Sequence, residues 1–186
     1  RRRGHLWPGD ADDDDRGRHG DAGQGQFLAE RLDPLPNAAM ISIANPGETV
    51  KLRDGWGSLL RVGVADSSYD EGTIGFFGRM WWVSSYGFPA KEHALAIREF
   101  LDGLSSDTDT LIVHCGAGVS RSAAVAKYAS ERYQVPFPDD YHRHNEALYR
   151  LLVNPCVFDA ALAPYPKPRP SGWRRLYASA RRLGSP

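Results

Sequence analysis

The sequence predicts an α/β domain: a short, mostly parallel central sheet flanked by helices. Three observations carry this reading. Three apolar runs, at 38–44, 59–65 and 110–113, have the β-branched content of strands. Between the second and third, Ala94, Leu95, Ile97, Leu101 and Leu104 recur at near-helical spacing, and two more helical patterns follow the third. Strands joined through helices favour parallel pairing, and a chain of 186 residues has room for one such core.

From residue 1 to about 26 the chain is Gly, Asp and Arg with hardly an apolar side chain, and includes Asp12-Asp13-Asp14-Asp15. Such a segment cannot bury enough surface to offset its own ordering, so it reads as a flexible tail. The acidic run near His5 and His19 is charge without a fixed loop, which a hard-cation site requires, and it reads as solvated.

The domain itself is expected over 27–160. It opens with a short helix at 26–32 and a strand at 38–44 closed by the Asn45-Pro46-Gly47 turn. A second strand, 59–65, runs directly into Asp66. Residues 72–88 are dotted with glycine and aromatics (Phe76, Phe77, Trp81, Trp82, Tyr86) and read as an insertion, with a short helix at 77–84. Pro89 suits a first helical position and opens a helix that ends at the Ser105-Ser106-Asp107 turn. After the third strand, helices are expected at 122–133 and 139–152, the second entered through Pro136-Phe-Pro-Asp-Asp140 and left at Asn154-Pro155. Residues 161–186 form a proline-stiffened linker and a basic amphipathic segment whose apolar side is Trp173, Leu176, Tyr177, Ala180 and Leu183. That segment suits a terminal helix docked on the domain, or a contact of residues 171–183 with an acidic partner or anionic lipid.

Charge excludes more than it suggests. With 23 basic and 23 acidic residues, no global field draws the chain to nucleic acid. No apolar stretch approaches the roughly 18 residues of a transmembrane span, and no secretory leader is visible. Two cysteines, Cys115 and Cys156, do not make a disulfide framework, so a reducing cytoplasm is the expected compartment. Cys156 has no motif around it and is expected to pack.

The informative stretch is His114-Cys-Gly-Ala-Gly-Val-Ser-Arg-Ser122, between a buried strand and a helix. A loop so placed points backbone N–H groups and the positive end of a helix dipole at one spot, which will hold an anion. The same field favours the thiolate of Cys115, the nucleophilic form. Gly116 and Gly118 let the backbone curl, and Arg121 can return across the curl as a rigid fork for two phosphate oxygens.

This run resembles the HC-x5-R-S signature of cysteine-dependent protein phosphatases, closest to the dual-specificity and bacterial-type tyrosine phosphatases. The resemblance is specific at the loop and extends more weakly over 38–152. It implies a protein tyrosine phosphatase-like fold of the dual-specificity type. It also implies hydrolysis of phosphotyrosine, either alone or together with phosphoserine and phosphothreonine, through a phosphocysteine intermediate and without metal or cofactor. Carried over by motif, Cys115 is the nucleophile and Arg121 the phosphate clamp. Gly116, Ala117, Gly118, Val119 and Ser120 are the backbone cradle, Ser122 assists breakdown of the intermediate, and His114 holds the loop's shape. Asn145 stands where related enzymes often have an asparagine bracing the loop, although a plain helix residue reads equally well there. Absence of lysine from the loop interior favours a phosphorylated protein or small phosphoester over a phosphoinositide.

The general acid departs from the pattern, because residues 81–89, where the family's acid loop is expected, contain no carboxylate. Asp66 is the first candidate, since it follows a strand immediately; Asp70 lies deeper in the same loop, and Glu71 is a third choice. The role needs a carboxyl that reaches the leaving oxygen and carries a proton often enough. A missing acid leaves an alternative function open, a phospho-residue binding module with little turnover. The aromatic cluster at 76–86 reads first as satellite core packing and second as a wall for a phosphorylated ring. His93, His142 and His144 are expected on the surface, the last two being two apart on a helix and so poorly placed as a metal pair.

Overall fold

The computed structural model describes residues 4–5 and 24–167; the acidic run at 12–15 and the basic segment at 171–183 lie outside the described residues. The core is a parallel sheet of three main strands, β2 (Ala38–Ala44), β3 (Ser58–Gly63) and β4 (Thr110–His114), with the two-residue β1 (Gly4–His5) added beside β4. Their order is β1-β4-β2-β3, and every pairing is parallel. β1 falls within the segment expected as a flexible tail, and its two residues gain their place from the open edge of β4 at Thr110 and Leu111.

Position in the sheet explains strand composition. β2, paired on both sides, is apolar along almost its whole length and buried from Ala38 to Ile43. β3, an edge strand, exposes alternate residues, which accounts for its Leu-Arg-Val alternation. Because β2 and β4 pair in parallel with Ser42 opposite His114, and Ala44 lies opposite Gly63, all three strands finish at the same edge. Asn45, Val64 to Asp66 and Cys115 therefore leave the sheet together, though they are distant in sequence.

Seven helices surround the sheet among the described residues: α1 (Gln24–Arg31), α2 (Glu71–Phe77), α3 (Trp81–Ser84), α4 (Lys91–Asp102), α5 (Arg121–Tyr133), α6 (Glu146–Val153) and α7 (Asp159–Leu162). α4 presents Ala94, Ile97 and Leu101 to the core, the stripe expected from the sequence. α5 uses small residues on its buried side, Ala123, Ala124 and Ala129, so its axis can lie close to the sheet.

Two expectations change. Instead of one short helix at 77–84, α2 precedes a 3-10 turn at Gly78–Met80, and α3 covers only Trp81–Ser84. Asp70 starts α2 by accepting from Thr73 N at 2.7 Å, a cap strong enough to offset the glycines that conceal the helix in the sequence. The helix expected at 139–152 begins only at Glu146, because Asn145 and not Asp139 supplies the cap, its Oδ1 accepting from Leu148 N at 3.0 Å. His142 and His144 consequently lie in a loop. His142 is exposed, but the side chain of His144 is mostly buried beside Tyr149, with Nε2 3.1 Å from Glu146. No described helix is long and apolar enough to cross a membrane.

Candidate active site

The loop 115–120 leaves β4 at the edge where all three strands end, the position at which parallel α/β sheets hold ligands. Gly118 sits at φ +80°, a backbone conformation that side chains with a Cβ resist, so the tight curl needs glycine there. Cys115 is 1 % exposed at the floor of the loop, while residues 116–120 are half-buried. Its Sγ lies 3.2 Å from Ser122 Oγ in the first turn of α5, close enough for a hydroxyl to donate to the sulfur.

Arg121 returns over the loop. Its Nη1 donates to Val64 O at 2.6 Å and to Asn45 Oδ1 at 3.1 Å, which fixes the guanidinium against the ends of β2 and β3. Its Nη2 faces Gly116, where a Cβ would stand 3.6 Å away. The side chain is 6 % exposed, and Nε has no hydrogen-bond partner among the described residues. A buried guanidinium with an unused donor is costly unless an anion completes it.

Asp66 supplies part of that anionic complement. Its Oδ2 stands 3.7 Å from Arg121 Nε, an ion pair without a hydrogen bond, and its Oδ1 accepts from Ser120 Oγ at 2.7 Å and Asn145 Nδ2 at 3.1 Å. Asn145 is not a plain helix residue: its side chain caps α6, and its backbone N donates to Ser120 O at 3.0 Å. Asp70 is elsewhere in purpose. Both Thr73 N and Thr73 Oγ1 donate to its Oδ1, and these bonds hold the carboxyl below its ordinary range, the opposite of what a proton donor needs. Glu71 pairs with Arg150.

His114 is buried beneath the loop, and neither ring nitrogen has a well-formed hydrogen bond. Burial dominates its titration and pushes the ring down to about 4, with Arg61 adding to the effect, although contact with the Cys115 backbone opposes it. That shift favours a neutral ring at physiological pH. The aromatic segment does not line the loop. Trp81 packs in the main core against Tyr69 at 4.8 Å, Phe76 and Tyr86 face outward, and the 610 Å³ cavity beside Trp81, Phe88 and Phe158 includes no residue of 115–121. Cys156, expected to pack, is exposed, with Sγ 3.0 Å from Lys91 Nζ. Among the described residues no cluster of His, Cys, Asp or Glu is arranged to hold a metal ion.

Three participants escaped the sequence reading. Asn45 anchors Arg121, and its signal was available: a polar turn at the C-terminal end of a parallel strand. Gly25 in α1 lies against the loop, where a Cβ would come within 2.6 Å of Cys115 O and 2.7 Å of Gly118 N. Tyr141 donates to Val119 O at 2.5 Å. Neither of these two carries a local signal, since both contacts depend on tertiary approach. No family model matches the chain, and no curated protein or solved structure matches it.

Proposed function

We propose that this chain is a phosphomonoester hydrolase of the dual-specificity phosphatase type, removing phosphate from phosphotyrosine, either alone or together with phosphoserine and phosphothreonine, in a protein or small phosphoester. One observation carries the reading: Asp66, far from the loop in sequence, is bonded to loop residue Ser120 at 2.7 Å and stands 3.7 Å from Arg121 Nε. The meeting of Cys115, Arg121 and Asp66 at the ends of the parallel strands supports giving them the roles of nucleophile, phosphate clamp and acid.

In this mechanism the phosphoryl group enters over the loop amides, and Arg121 Nε and Nη2 take two of its oxygens in place of Asp66. The Cys115 thiolate attacks phosphorus, the bond to the leaving oxygen breaks, and Asp66 gives that oxygen its proton. Water then attacks phosphorus while Asp66 takes a proton from it, and the sulfur leaves, assisted by a hydrogen bond from Ser122 Oγ. Cys115, Arg121, Asp66 and Ser122 are the catalytic residues, and Gly116 to Ser120 the cradle. No step calls for a metal or cofactor. Two free cysteines suit the cytoplasm as its compartment.

The reading is tested by hydrolysis of para-nitrophenyl phosphate in the presence of chelator. Turnover should vanish in Cys115→Ser, fall by about 10²- to 10⁴-fold in Asp66→Asn, and stay within about twofold in Asp70→Asn. Phosphate release that survives in Cys115→Ser overturns the mechanism. The second reading, a binding module with little turnover, draws on the 1 % exposure of Cys115 beneath more open loop residues. It is favoured if the wild-type protein binds a phosphopeptide without hydrolysing it.

A further inference from the structure

Besides the first bond of α5, from Ala124 N to Ser120 O at 3.0 Å, three hydrogen bonds from other elements grip the loop's carbonyls. Gln26 N, in α1, donates to Gly116 O at 3.1 Å; Tyr141 Oη, in the loop before α6, donates to Val119 O at 2.5 Å; and Asn145 N donates to Ser120 O at 3.0 Å. In a trans peptide the carbonyl and the following N–H point in opposite directions. All peptides in this chain are trans among the described residues. Each carbonyl drawn toward its partner therefore turns the next amide, that of Ala117, Ser120 or Arg121, away from the partner and toward the concave side of the curl.

The three grips differ in kind. Those of Gln26 and Asn145 come from the main chain and cannot be removed by substitution without moving a helix. Tyr141 alone grips through a side chain. Burial raises its phenol above the ordinary range, against the opposing charge of Arg143, so the hydroxyl stays protonated as the donor that a carbonyl requires.

Resting on the phosphatase reading, we infer that Tyr141 is a positioning residue for phosphate: its hydroxyl, by holding the Val119 carbonyl, aims the Ser120 amide at a bound phosphoryl group. Asp66 fixes the Ser120 side chain, so the two ends of one residue are set independently, the hydroxyl by the acid and the amide by the tyrosine.

The test compares wild type, Tyr141→Phe and Tyr149→Phe, the last removing a hydroxyl that donates to Glu131 at 2.7 Å away from the loop. Inorganic phosphate is titrated calorimetrically into each folded protein, and the ¹⁵N amide shift of Ser120 is followed through the same titration. Tyr141→Phe should weaken phosphate binding by about fivefold to tenfold, the scale of one hydrogen bond, and diminish the Ser120 amide response while that of Ala117 persists. Tyr149→Phe should bind as wild type does. A merely structural tyrosine would lower the melting temperature and leave both readouts unchanged in the folded protein, and that result overturns the inference. Wild-type protein that binds no phosphate at all overturns the phosphatase reading and this role with it; binding without hydrolysis still decides the role of Tyr141 by the same comparison.

Discussion

The loop at 115–120 and the helical segment at 71–88 both hang from the same edge of the sheet, yet opposite physics holds them. The loop is fixed by directional contacts with distant partners: Asp66, Asn45 through Arg121, Asn145, Gln26 and Tyr141. The helical segment is fixed mainly by one buried face of rings, Trp81 against Tyr69 and Phe88, with Phe76 and Tyr86 left in solvent and polar contacts at the Asp70 cap, the Glu71 pair with Arg150 and Trp82 Nε1 on Tyr165 O. The first kind of contact sets orientation and the second sets mainly distance, which teaches where chemistry can reside. Hydrogen bonds set direction as well as distance, whereas ring packing tolerates a shift.

The comparison breaks most visibly at Trp81. Replacement by alanine removes a ring that is 3 % exposed and should cost about 4 kcal/mol of stability, read from denaturant unfolding, while turnover per folded molecule stays near that of wild type. A large loss of turnover in folded Trp81→Ala would show that the two regions are mechanically one.

His114 sharpens the other side. Its folded-state value of about 4 lies below the ordinary 6.5, so as pH falls the unfolded chain takes the proton first. The contribution to stability is complete above about pH 6.5, is lost as pH falls toward 4, and changes no further below that. One unit is about 1.4 kcal/mol, so the whole effect is about 3 kcal/mol. His114→Leu should flatten this limb of the stability profile, and an unchanged slope between pH 6.5 and 4 would mean that the ring is not held neutral.

Gly25→Ala sets a methyl against Cys115 O and Gly118 N and should cost about 1–3 kcal/mol of stability, while displacement of the loop lowers turnover by about 10²-fold. Here activity should fall out of proportion to stability, the inverse of Trp81→Ala. At the small end, Phe76→Ser should change stability by no more than about 0.5 kcal/mol, because that ring is 86 % exposed. A larger loss would reveal a packing role for the outer face of the segment.

Legibility in the sequence followed the same division. β2 and β4 could be read because burial on both faces of a parallel sheet demands continuous apolar runs, β3 because its β-branched, alternating pattern suits an edge strand, and the cysteine loop because its glycines, arginine and serine stand at fixed spacing. α2 could not, since Gly72 and Gly75 argue against a helix until the Asp70 cap is seen in place. The start of α6 was misread because Pro138-Asp139-Asp140 has the composition of a helix entry, whereas the working cap, Asn145, is chosen by its bonds to Asp66 and Ser120. Asp66 could be ranked above Asp70 by its place after a strand, but only the fold brings it to the arginine. Gly25 and Tyr141 were illegible for a simpler reason: each meets the loop through space, and nothing in its own neighbourhood says so.

Parallel register also governs when this machinery comes into being. Asn45, Asp66, Arg121 and Asn145 are drawn from successive quarters of the described chain and meet only after β4 has slotted between β1 and β2. A nascent polypeptide stalled on the ribosome before residue 145 emerges would carry the cysteine, the arginine and both aspartates and still lack the bracket that joins them. Contacts so remote along the chain also form slowly. During synthesis, competence to grip an oxyanion should therefore switch on abruptly and late, instead of accumulating strand by strand.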